Sequence, residues 1–232
     1  MKIIDIQTLV VNAEMRNWVF VKVVTDENIY GWGEATVEWK TRAVVGAIED
    51  IKPLLIGKDP RQIKQNFQIM TKHGFWKLGV IGMSAISGIE HALWDILGKS
   101  LNTPVWQLLG GKVRDKVKIY THLGMGDMKA VYRDTMNVSG LTDHAQKLVD
   151  LGYTAFKVVF IPFTHYTVLK EDLSLVNTLM SSLRDKVGDN IKIMVDFHGR
   201  CGSGISAIQY TKELEAYNPM FIEEPIQPGD TS

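Results

Sequence analysis

From Lys2 to about Glu34 the chain alternates between apolar and polar positions in three runs. The runs are "IIDIQTLVV", "WVFVKVVT" and "IYGWGEA", and Asp26, Glu27 and Asn28 separate the second from the third. Alternation with a period of two is typical of strands that bury one face, and a short polar break between two such runs indicates a turn. The pattern therefore predicts an antiparallel meander.

From about Thr41 to Gly110 the apolar positions follow a helical period instead. Two stripes have the spacing of one helix face: Val44, Ala47, Ile48 and Ile51 in the first, and Ile86, Ile89, Leu93, Ile96 and Leu97 in the second. Pro53 is expected to stop the first helix, and Gly98 to close the second. Strands followed by helices predict an α+β unit for this part of the chain.

After Gly110 and Gly111 the pattern changes to alternating strands and helices. Strands are predicted at "VKIYTHLG", "TAFKVVFI", "IKIMVDF" and "MFIEE", and helices at about 142–151, 176–187 and 205–217. The residues between Gly124 and Leu141 show no clear period and are expected to form a loop. Strands that are apolar on both faces and separated by helices are typical of a parallel sheet.

These βα steps are compatible with an open doubly wound sheet or with the first half of a (β/α)8 barrel. In a barrel the reactive groups collect where strands end, and His122, Lys157, Asp196, His198 and Glu223 lie at or near predicted strand ends. An open nucleotide-binding sheet commonly has a glycine-rich loop after its first strand, but "HLGMGDM" lacks the third glycine of that motif. The pattern favours the barrel.

The composition excludes several classes of partner and site. The 232 residues carry a formal net charge of zero, without a block of like charges, so a small-molecule partner is expected rather than a nucleic acid or a membrane. The single cysteine, Cys201, excludes a disulfide framework and a cysteine-rich zinc site. The N-terminal residues carry Asp5 and Glu14 and no long apolar segment, so no signal peptide or membrane span is predicted, and a cytoplasmic location is expected.

Longer motifs are more specific than these strand ends. The chain carries "GWGEA", the segment "GMSAISGIEHALWDILGKSLNTPVWQLLGGKVRDKV" at residues 82–117, then "VDFHGR" and "FIEEP". Together they resemble the enolase superfamily, in its mandelate racemase-like branch of sugar-acid dehydratases, with the galactonate dehydratases as the most similar group and the mannonate dehydratases next. The resemblance covers essentially the whole chain. It implies an α+β capping domain at residues 1–112, followed by the first half of a modified (β/α)8 barrel at residues 113–232.

The strand-end residues suit a magnesium site. Residues i and i+2 of a strand face the same side, so Asp196 and His198 are expected to point into the barrel mouth while Phe197 packs behind them. Mg²⁺ prefers hard oxygen ligands, and Asp196 and Glu223 on neighbouring strands meet that need. The resemblance implies the same two ligands, with Glu224 as an outer neighbour. A structural role as a turn or helix-cap residue is the alternative for Asp196.

The resemblance also implies a reaction, which begins with removal of the proton next to a carboxylate. The metal stabilises the negative charge that develops, and a general acid protonates the β-hydroxyl so that it leaves as water. His198 is assigned as that acid, and the product would be a 2-keto-3-deoxy sugar acid. A rim histidine held only by hydrogen bonds is the alternative for His198.

Lys157 is followed by two valines, where many relatives have a second lysine that acts as a base. The missing lysine argues against a racemase-like pair of bases and agrees with a dehydratase. Lys157 is expected to bind the substrate carboxylate or a metal-bound oxygen, with a partly buried structural lysine as the alternative. By analogy with mannonate dehydratases, Tyr166 or His165 is expected to assist it. His122 is a candidate for contact with a sugar hydroxyl, or a structural residue of the barrel rim.

The capping domain is expected to supply substrate specificity. The segments "VNAEMRNW" and "TVEWKTR" are predicted to cover the barrel mouth, with Arg16, Trp39, Arg42 and Trp76 as contacts. Packing at a domain interface is the alternative for the tryptophans. The "IPFTHYT" loop differs from the galactonate type, and the spacing from "DFHGR" to "FIEEP" is one residue longer, so the substrate stays open.

The barrel is expected to be incomplete. A full (β/α)8 barrel takes about 250 residues, and the sequence after residue 112 supplies about half of that. The resemblance places a third carboxylate ligand, a histidine base and its aspartate partner beyond Ser232, so this chain alone is expected to be inactive and prone to association. A homo-oligomer is expected because relatives commonly form symmetric assemblies. A silent binding module and a doubly wound nucleotide-binding enzyme are the alternatives from other classes.

Overall fold

A computed structural model describes residues 1–14, 16–123, 138–162 and 167–229. The chain divides into two units, and the boundary lies between Asp115 and Lys116. The first unit contains β1 (Ile3–Ala13), β2 (Arg16–Thr25), β3 (Tyr30–Glu34), α1 (Thr41–Leu55), α2 (Ile63–Lys72), α3 (Gly79–Ser100) and α4 (Val105–Leu108). The second unit contains β4 (Thr121–His122), α5 (Val138–Asp150), β5 (Ala155–Val158), α6 (Lys170–Val187), β6 (Lys192–Asp196), α7 (Gly204–Glu215) and β7 (Ile222–Glu223).

The first unit is built on the predicted meander. β1, β2 and β3 form an antiparallel sheet in that order. Val19, Val21 and Val23 are fully buried in the core formed with the helices, because alternate side chains of β2 point to the same face. The turn between β2 and β3 contains Asn28 at φ 59°, a conformation that asparagine tolerates better than most residues.

Both predicted helical stripes pack in the core, with Ala47 and Leu97 partly buried, but the two helices end later than their sequence signals indicate. α1 continues through Pro53 to Leu55, because Leu55 is fully buried and the Ile56 N–H still donates to the Lys52 carbonyl. α3 continues through Gly98 to Ser100. A Cβ at Gly98 would lie 2.8 Å from the Thr103 carbonyl oxygen, so this glycine admits the returning chain rather than ending the helix.

Two glycines of β3 bring the strand against α3. A Cβ at Gly31 would lie 1.9 Å from the Ala92 carbonyl oxygen, and one at Gly33 would lie 1.9 Å from the Gly88 carbonyl oxygen. Backbone therefore packs directly on backbone in the capping unit. Among the described residues α3 is also the one helix long and apolar enough to cross a membrane by length and composition; many of its apolar side chains lie in this core.

The second unit is a parallel sheet with connecting helices. β4, β5, β6 and β7 are neighbours in chain order, with His122 paired to Lys157 and Asp196 paired to Glu223. Parallel strands that follow one another in this way, joined by helices, form a portion of a (β/α)8 barrel. The predicted fold class, an α+β capping domain followed by the first half of such a barrel, is confirmed.

Several predicted boundaries in this unit are wrong; for example, the helix predicted at about 176–187 begins at Lys170, and the strand predicted at "MFIEE" contains only Ile222 and Glu223. The strand expected at "VKIYTHLG" contains only Thr121 and His122, and the preceding Val117 and Ile119 are exposed beside the edge strand β4. α5 begins at Val138, inside the segment expected to be a loop, because Leu141 packs in the core. The rest of that expected loop, residues 124–137, lies outside the described residues.

Candidate active site

Alternation along the parallel strands separates an apolar core from a polar face. The side chains that pack with the helices come from alternate positions, namely Phe156 and Val158 of β5 and Ile193 and Val195 of β6. Successive side chains of a strand point to opposite faces, so Lys157 and Asp196 lie on the other face of the sheet. Glu223 follows Ile222, which packs against the same core, and therefore shares the polar face.

The ammonium group of Lys157 joins the two carboxylates on this face. Its Nζ lies 2.9 Å from Asp196 Oδ2 and donates to Glu223 Oε1 and Oε2 at 3.0 Å each. The exposed fraction is 17% for the Lys157 side chain, 5% for Asp196 and 35% for Glu223. The structure thus brings the two proposed metal ligands together at the carboxyl ends of adjacent strands. Their metal-binding role stays a prediction.

The charge of Lys157 is set by opposing effects. Burial alone would lower the pKa of Lys157, because it removes water from the ammonium group. Hydrogen bonds to Asp196 and Glu223, and the attraction of both charges, outweigh burial and raise the pKa of Lys157 above its ordinary value. The side chain is therefore protonated at neutral pH. This arrangement favours binding over proton abstraction as its chemical role.

His198 stands in a turn rather than on a strand. β6 ends at Asp196, and His198 has φ 54°, so the alternation expected to carry both side chains to one face does not extend to it. Its backbone N–H donates to Asp196 Oδ1 at 2.8 Å, while its side chain is exposed and Phe197 is fully buried in the core. Asp196 itself, by accepting this hydrogen bond, forms the turn that presents the histidine to solvent.

Backbone hydrogen bonds fix the loop after β6 to the end of β7. The Phe197 N–H donates to the Glu223 carbonyl, and the Gly199 N–H donates to the Glu224 carbonyl, both at 2.9 Å. Gly199 has φ 62°, which suits a glycine. The "DFHGR" and "FIEEP" segments are therefore held side by side by their main chains, independently of any ligand.

Arg200 is a buried charged residue that the sequence reasoning did not single out. It is 7% exposed, and its Nη1 donates to the Ile161 carbonyl at 2.7 Å. Ile161 follows β5 and Arg200 follows β6, so this hydrogen bond ties together the chain segments at two strand ends. The only signal in the sequence was a basic residue directly after the "DFHG" run.

His122 lies beside Lys157 in the strand pairing and keeps part of its surface exposed. The pKa of His122 is lowered, first because surrounding protein displaces water from the imidazole and then because the Lys157 ammonium is nearby; Asp196 opposes this effect. A neutral imidazole can both donate and accept a hydrogen bond, as contact with a sugar hydroxyl requires. Its substrate-binding role stays a prediction.

The other residues predicted to contact the substrate fall outside the described residues or belong to the capping unit. Tyr166 and His165 lie outside the described residues. Arg16 forms an ion pair with Glu38 in the capping unit, and Trp76 is 82% exposed with its ring against Phe75. The expected roles of Arg16 and Trp76 in substrate binding stay predictions.

The thiol of Cys201 is not a candidate nucleophile in this region. Its side chain is 2% exposed, and burial raises the pKa of the thiol to about 11. The thiolate, which is the reactive form, is therefore scarce at neutral pH. The candidate chemical groups among the described residues at these strand ends are therefore carboxylate, ammonium and imidazole groups.

The donor set fits a magnesium ion. Mg²⁺ is commonly bound through one or two carboxylates and completes its shell with water and substrate oxygens. Asp196 and Glu223 supply such carboxylates, and their shared contact with an ammonium group shows that both can face one cation. Within the described ranges no group of three or more His, Cys, Asp and Glu side chains is placed to hold a metal together. Asp196 and Glu223 therefore fit a magnesium site with two carboxylates.

Two family profiles match this chain. The profile of the mandelate racemase / muconate lactonizing enzyme N-terminal domain matches residues 3–110. The profile of the enolase C-terminal domain-like family matches residues 140–232. Together the two profiles span the capping unit and most of the barrel portion, including every strand-end residue of the cluster except His122, which precedes the second match.

Several solved structures are similar to almost the whole of this chain. A provisionally assigned dehydratase from Mesorhizobium loti is 32% identical, with a TM-score of 0.87, over 99% of this chain and 61% of its own. A member of the enolase superfamily from Salmonella Typhimurium is 30% identical, with a TM-score of 0.90, over 99% and 62%. An enolase from Pantoea ananatis, solved with bound D-gluconate and magnesium, is 30% identical, with a TM-score of 0.83, over 99% and 61%. The chain thus spans about three fifths of the length of these relatives.

Proposed function

Because the chain belongs to the mandelate racemase and muconate lactonizing enzyme family of the enolase superfamily, we propose that it acts in the Mg²⁺-dependent dehydration of a sugar acid. The proposed reaction removes the proton next to the carboxylate and expels the β-hydroxyl, which gives a 2-keto-3-deoxy acid. It is a carbon–oxygen lyase reaction. The proposal concerns the whole protein, since the relatives are longer than this chain.

One observation carries the proposal. Asp196 and Glu223 are register partners on β6 and β7, and both reach a single ammonium group on the face away from the helices. Two carboxylates that converge on one cation at the carboxyl ends of barrel strands form a site for a divalent ion and an anionic substrate. A bound Mg²⁺ would supply positive charge against the substrate carboxylate while its neighbouring proton is removed.

The chain's own residues take separate roles in this proposal. Asp196 and Glu223 hold the metal, and Glu224 is an exposed outer neighbour whose carbonyl accepts the Gly199 N–H. His198, exposed on its turn, protonates the leaving β-hydroxyl, because hydroxide is a poor leaving group. Lys157 is protonated, and its ammonium group binds the substrate carboxylate once it no longer contacts Asp196 and Glu223.

A D-galactonate-like substrate is proposed first, and a D-mannonate-like substrate is the alternative. The dehydratase assignment of the Mesorhizobium loti relative supports the reaction type, and the D-gluconate and magnesium bound to the Pantoea ananatis relative support an acid sugar with this metal. D-Gluconate therefore belongs in the substrate panel beside D-galactonate and D-mannonate.

The first test is metal binding by this chain, since it needs only described residues. We expect Mn²⁺ binding, followed by electron paramagnetic resonance of the free ion, to weaken at least about tenfold in Asp196→Asn and Glu223→Gln, because each loses a charged ligand. The amide introduced by Asp196→Asn keeps an oxygen that can accept the His198 N–H, so the turn should survive. The matched control is Glu224→Gln, which should bind Mn²⁺ like the unaltered chain.

The second test is a turnover screen of the three sugar acids with Mg²⁺, with the 2-keto-3-deoxy product detected as its semicarbazone. The whole protein should form this product from at least one acid sugar, and its Asp196→Asn variant should form none. Equal metal binding by the Glu223→Gln and Glu224→Gln variants, or product formation that ignores Mg²⁺, would overturn the proposed function.

A further inference from the structure

Lys157 takes the position on the polar face that a cation bound by Asp196 and Glu223 would take. Its Nζ contacts one oxygen of Asp196 and both oxygens of Glu223 at 2.9–3.0 Å. Lys157 is also the register partner of Met194, so its side chain must extend toward the strand end to reach Asp196. The contacts therefore depend on the length of the lysine side chain as well as on the pairing of the strands.

A divalent cation and this ammonium group compete for the same oxygens. Mg²⁺ bound to these carboxylates would lie about 2.1 Å from its ligand oxygens, so an ammonium group still at its present distances would be in close contact with the metal. Two positive charges at such a separation repel strongly where little water screens them. The lysine side chain has several rotatable bonds and can move away, whereas β6 and β7 are held by the main-chain hydrogen bonds of Phe197 and Gly199.

We propose that Lys157 is an internal counter-ion that holds Asp196 and Glu223 when no divalent metal is bound and releases both carboxylates when the metal binds. This inference rests on the metal site of the proposed function and adds a conformational step to it. Lys157 keeps the two carboxylates from repelling each other across adjacent strands. The released ammonium group then becomes available to an anionic substrate, so metal binding precedes substrate binding at this site.

Metal affinity gives the first test. Lys157→Met removes the competing cation and should bind Mn²⁺ at least about tenfold more tightly than the unaltered chain, because the metal no longer displaces an ion pair. The matched control is Lys192→Met, which removes one exposed lysine from the start of the same strand as Asp196. Lys192→Met should change the affinity by less than about twofold, since an exposed charge at the far end of a strand is screened.

Chemical labelling gives a second test on the unaltered chain, and so does not depend on the folding of a variant. The rate of acetylation of Lys157 by acetic anhydride, read by peptide mass spectrometry, should rise severalfold when Mn²⁺ or Mg²⁺ is saturating. The rate at Lys192 should not change. Release of a buried ammonium group predicts this rise, whereas a purely structural ion pair predicts a constant rate.

The outcomes separate this inference from the proposed function. Equal or weaker Mn²⁺ binding by Lys157→Met, or a Lys157 acetylation rate that stays constant or falls with metal, overturns the inference and leaves the metal site in place. Mn²⁺ binding by neither the unaltered chain nor Lys157→Met overturns both. Tighter Mn²⁺ binding by Lys157→Met, together with faster acetylation of Lys157 when metal is bound, supports replacement of the ammonium group by the metal. This holds even if the sugar-acid screen yields no product.

Discussion

The capping unit and the barrel portion place their charged residues differently. In the cap, the pairs Lys52–Asp5 and Lys99–Asp95 have side chains that are 30–43% exposed. In the barrel portion, Lys157 and Asp196 meet with 17% and 5% exposed. Water-exposed ion pairs contribute little to stability, whereas removing one member of a shielded group leaves an uncompensated charge. The barrel portion also has exposed pairs, such as Lys186–Asp143, so the shielded cluster distinguishes its strand ends rather than the whole unit.

Close packing of glycines, in contrast, is a feature of the cap. The cap depends on the approach of β3 to α3, where Gly31 and Gly33 leave no room for a side chain. In the barrel portion, the described glycines with positive φ, such as Gly188 and Gly199, lie in turns after helices or strands. A small change of volume should therefore damage the cap, and a small change of charge should damage the strand ends.

The largest effect is expected from Gly33→Ala. Its Cβ would overlap the Gly88 carbonyl, so the free energy of unfolding of the cap should fall by about 3 kcal/mol or more. Urea denaturation followed by tryptophan fluorescence measures this, because all six tryptophans precede residue 116. Gly46→Ala is the control: nothing lies near its Cβ, and it should stabilise α1 by up to about 1 kcal/mol. Similar effects of the two substitutions would contradict the packing difference.

His198→Asn tests the chemical side of the comparison. Asparagine tolerates the positive φ of this position, so the turn should persist, but the proton donor is lost. We expect kcat of the whole protein on its sugar acid to fall about 100-fold, equivalent to about 2.7 kcal/mol, with Mn²⁺ affinity unchanged. Steady-state kinetics and metal titration measure the two quantities. Retention of full turnover would remove His198 as the general acid.

Lys157→Met sharpens the contrast between exposed and shielded charge. Loss of the bridging ammonium group should lower the free energy of unfolding of the barrel portion by about 2 kcal/mol, because Asp196 and Glu223 then face each other without a counter-charge. Lys52→Met in the cap should cost about 0.5 kcal/mol or less. Far-ultraviolet circular dichroism follows both variants during urea denaturation. Comparable losses would show that burial does not distinguish the two pairs.

The smallest effect is expected from pH at His122. Its lowered pKa means that the unfolded chain binds this proton more readily than the folded chain. The stability of the barrel portion should therefore fall as pH drops from about 6.5 towards the folded-state pKa, and should not change above that window. Burial is the largest cause of this lowered pKa; Lys157, His198 and His144 lower it further, and Asp196 opposes them. In His122→Gln this part of the pH dependence should vanish, as urea denaturation at several pH values would show.

Local periodicity was enough to predict the meander, the helical stripes and the parallel series, because each depends on which face a side chain presents. It failed at Pro53, Gly98 and the start of α5. Burial of Leu55 extends α1 beyond Pro53, and burial of Leu141 accompanies the early start of α5. Gly98 lies inside α3, where its missing side chain makes room for the backbone of Thr103. It failed also at "VKIYTHLG", where an apolar run beside the sheet edge has few strand partners.

The sequence by itself placed carboxylates and a lysine at the ends of three strands, since strand length and polarity are written along the chain. Only the tertiary structure decided that Asp196, Glu223 and Lys157 meet, because their meeting depends on the register of β5, β6 and β7, which no local pattern encodes. It also decided that His198 leaves the strand, since the Asp196 carboxylate turns the backbone by accepting its N–H. Charge proximity between residues far apart in the chain is a property of the assembled sheet.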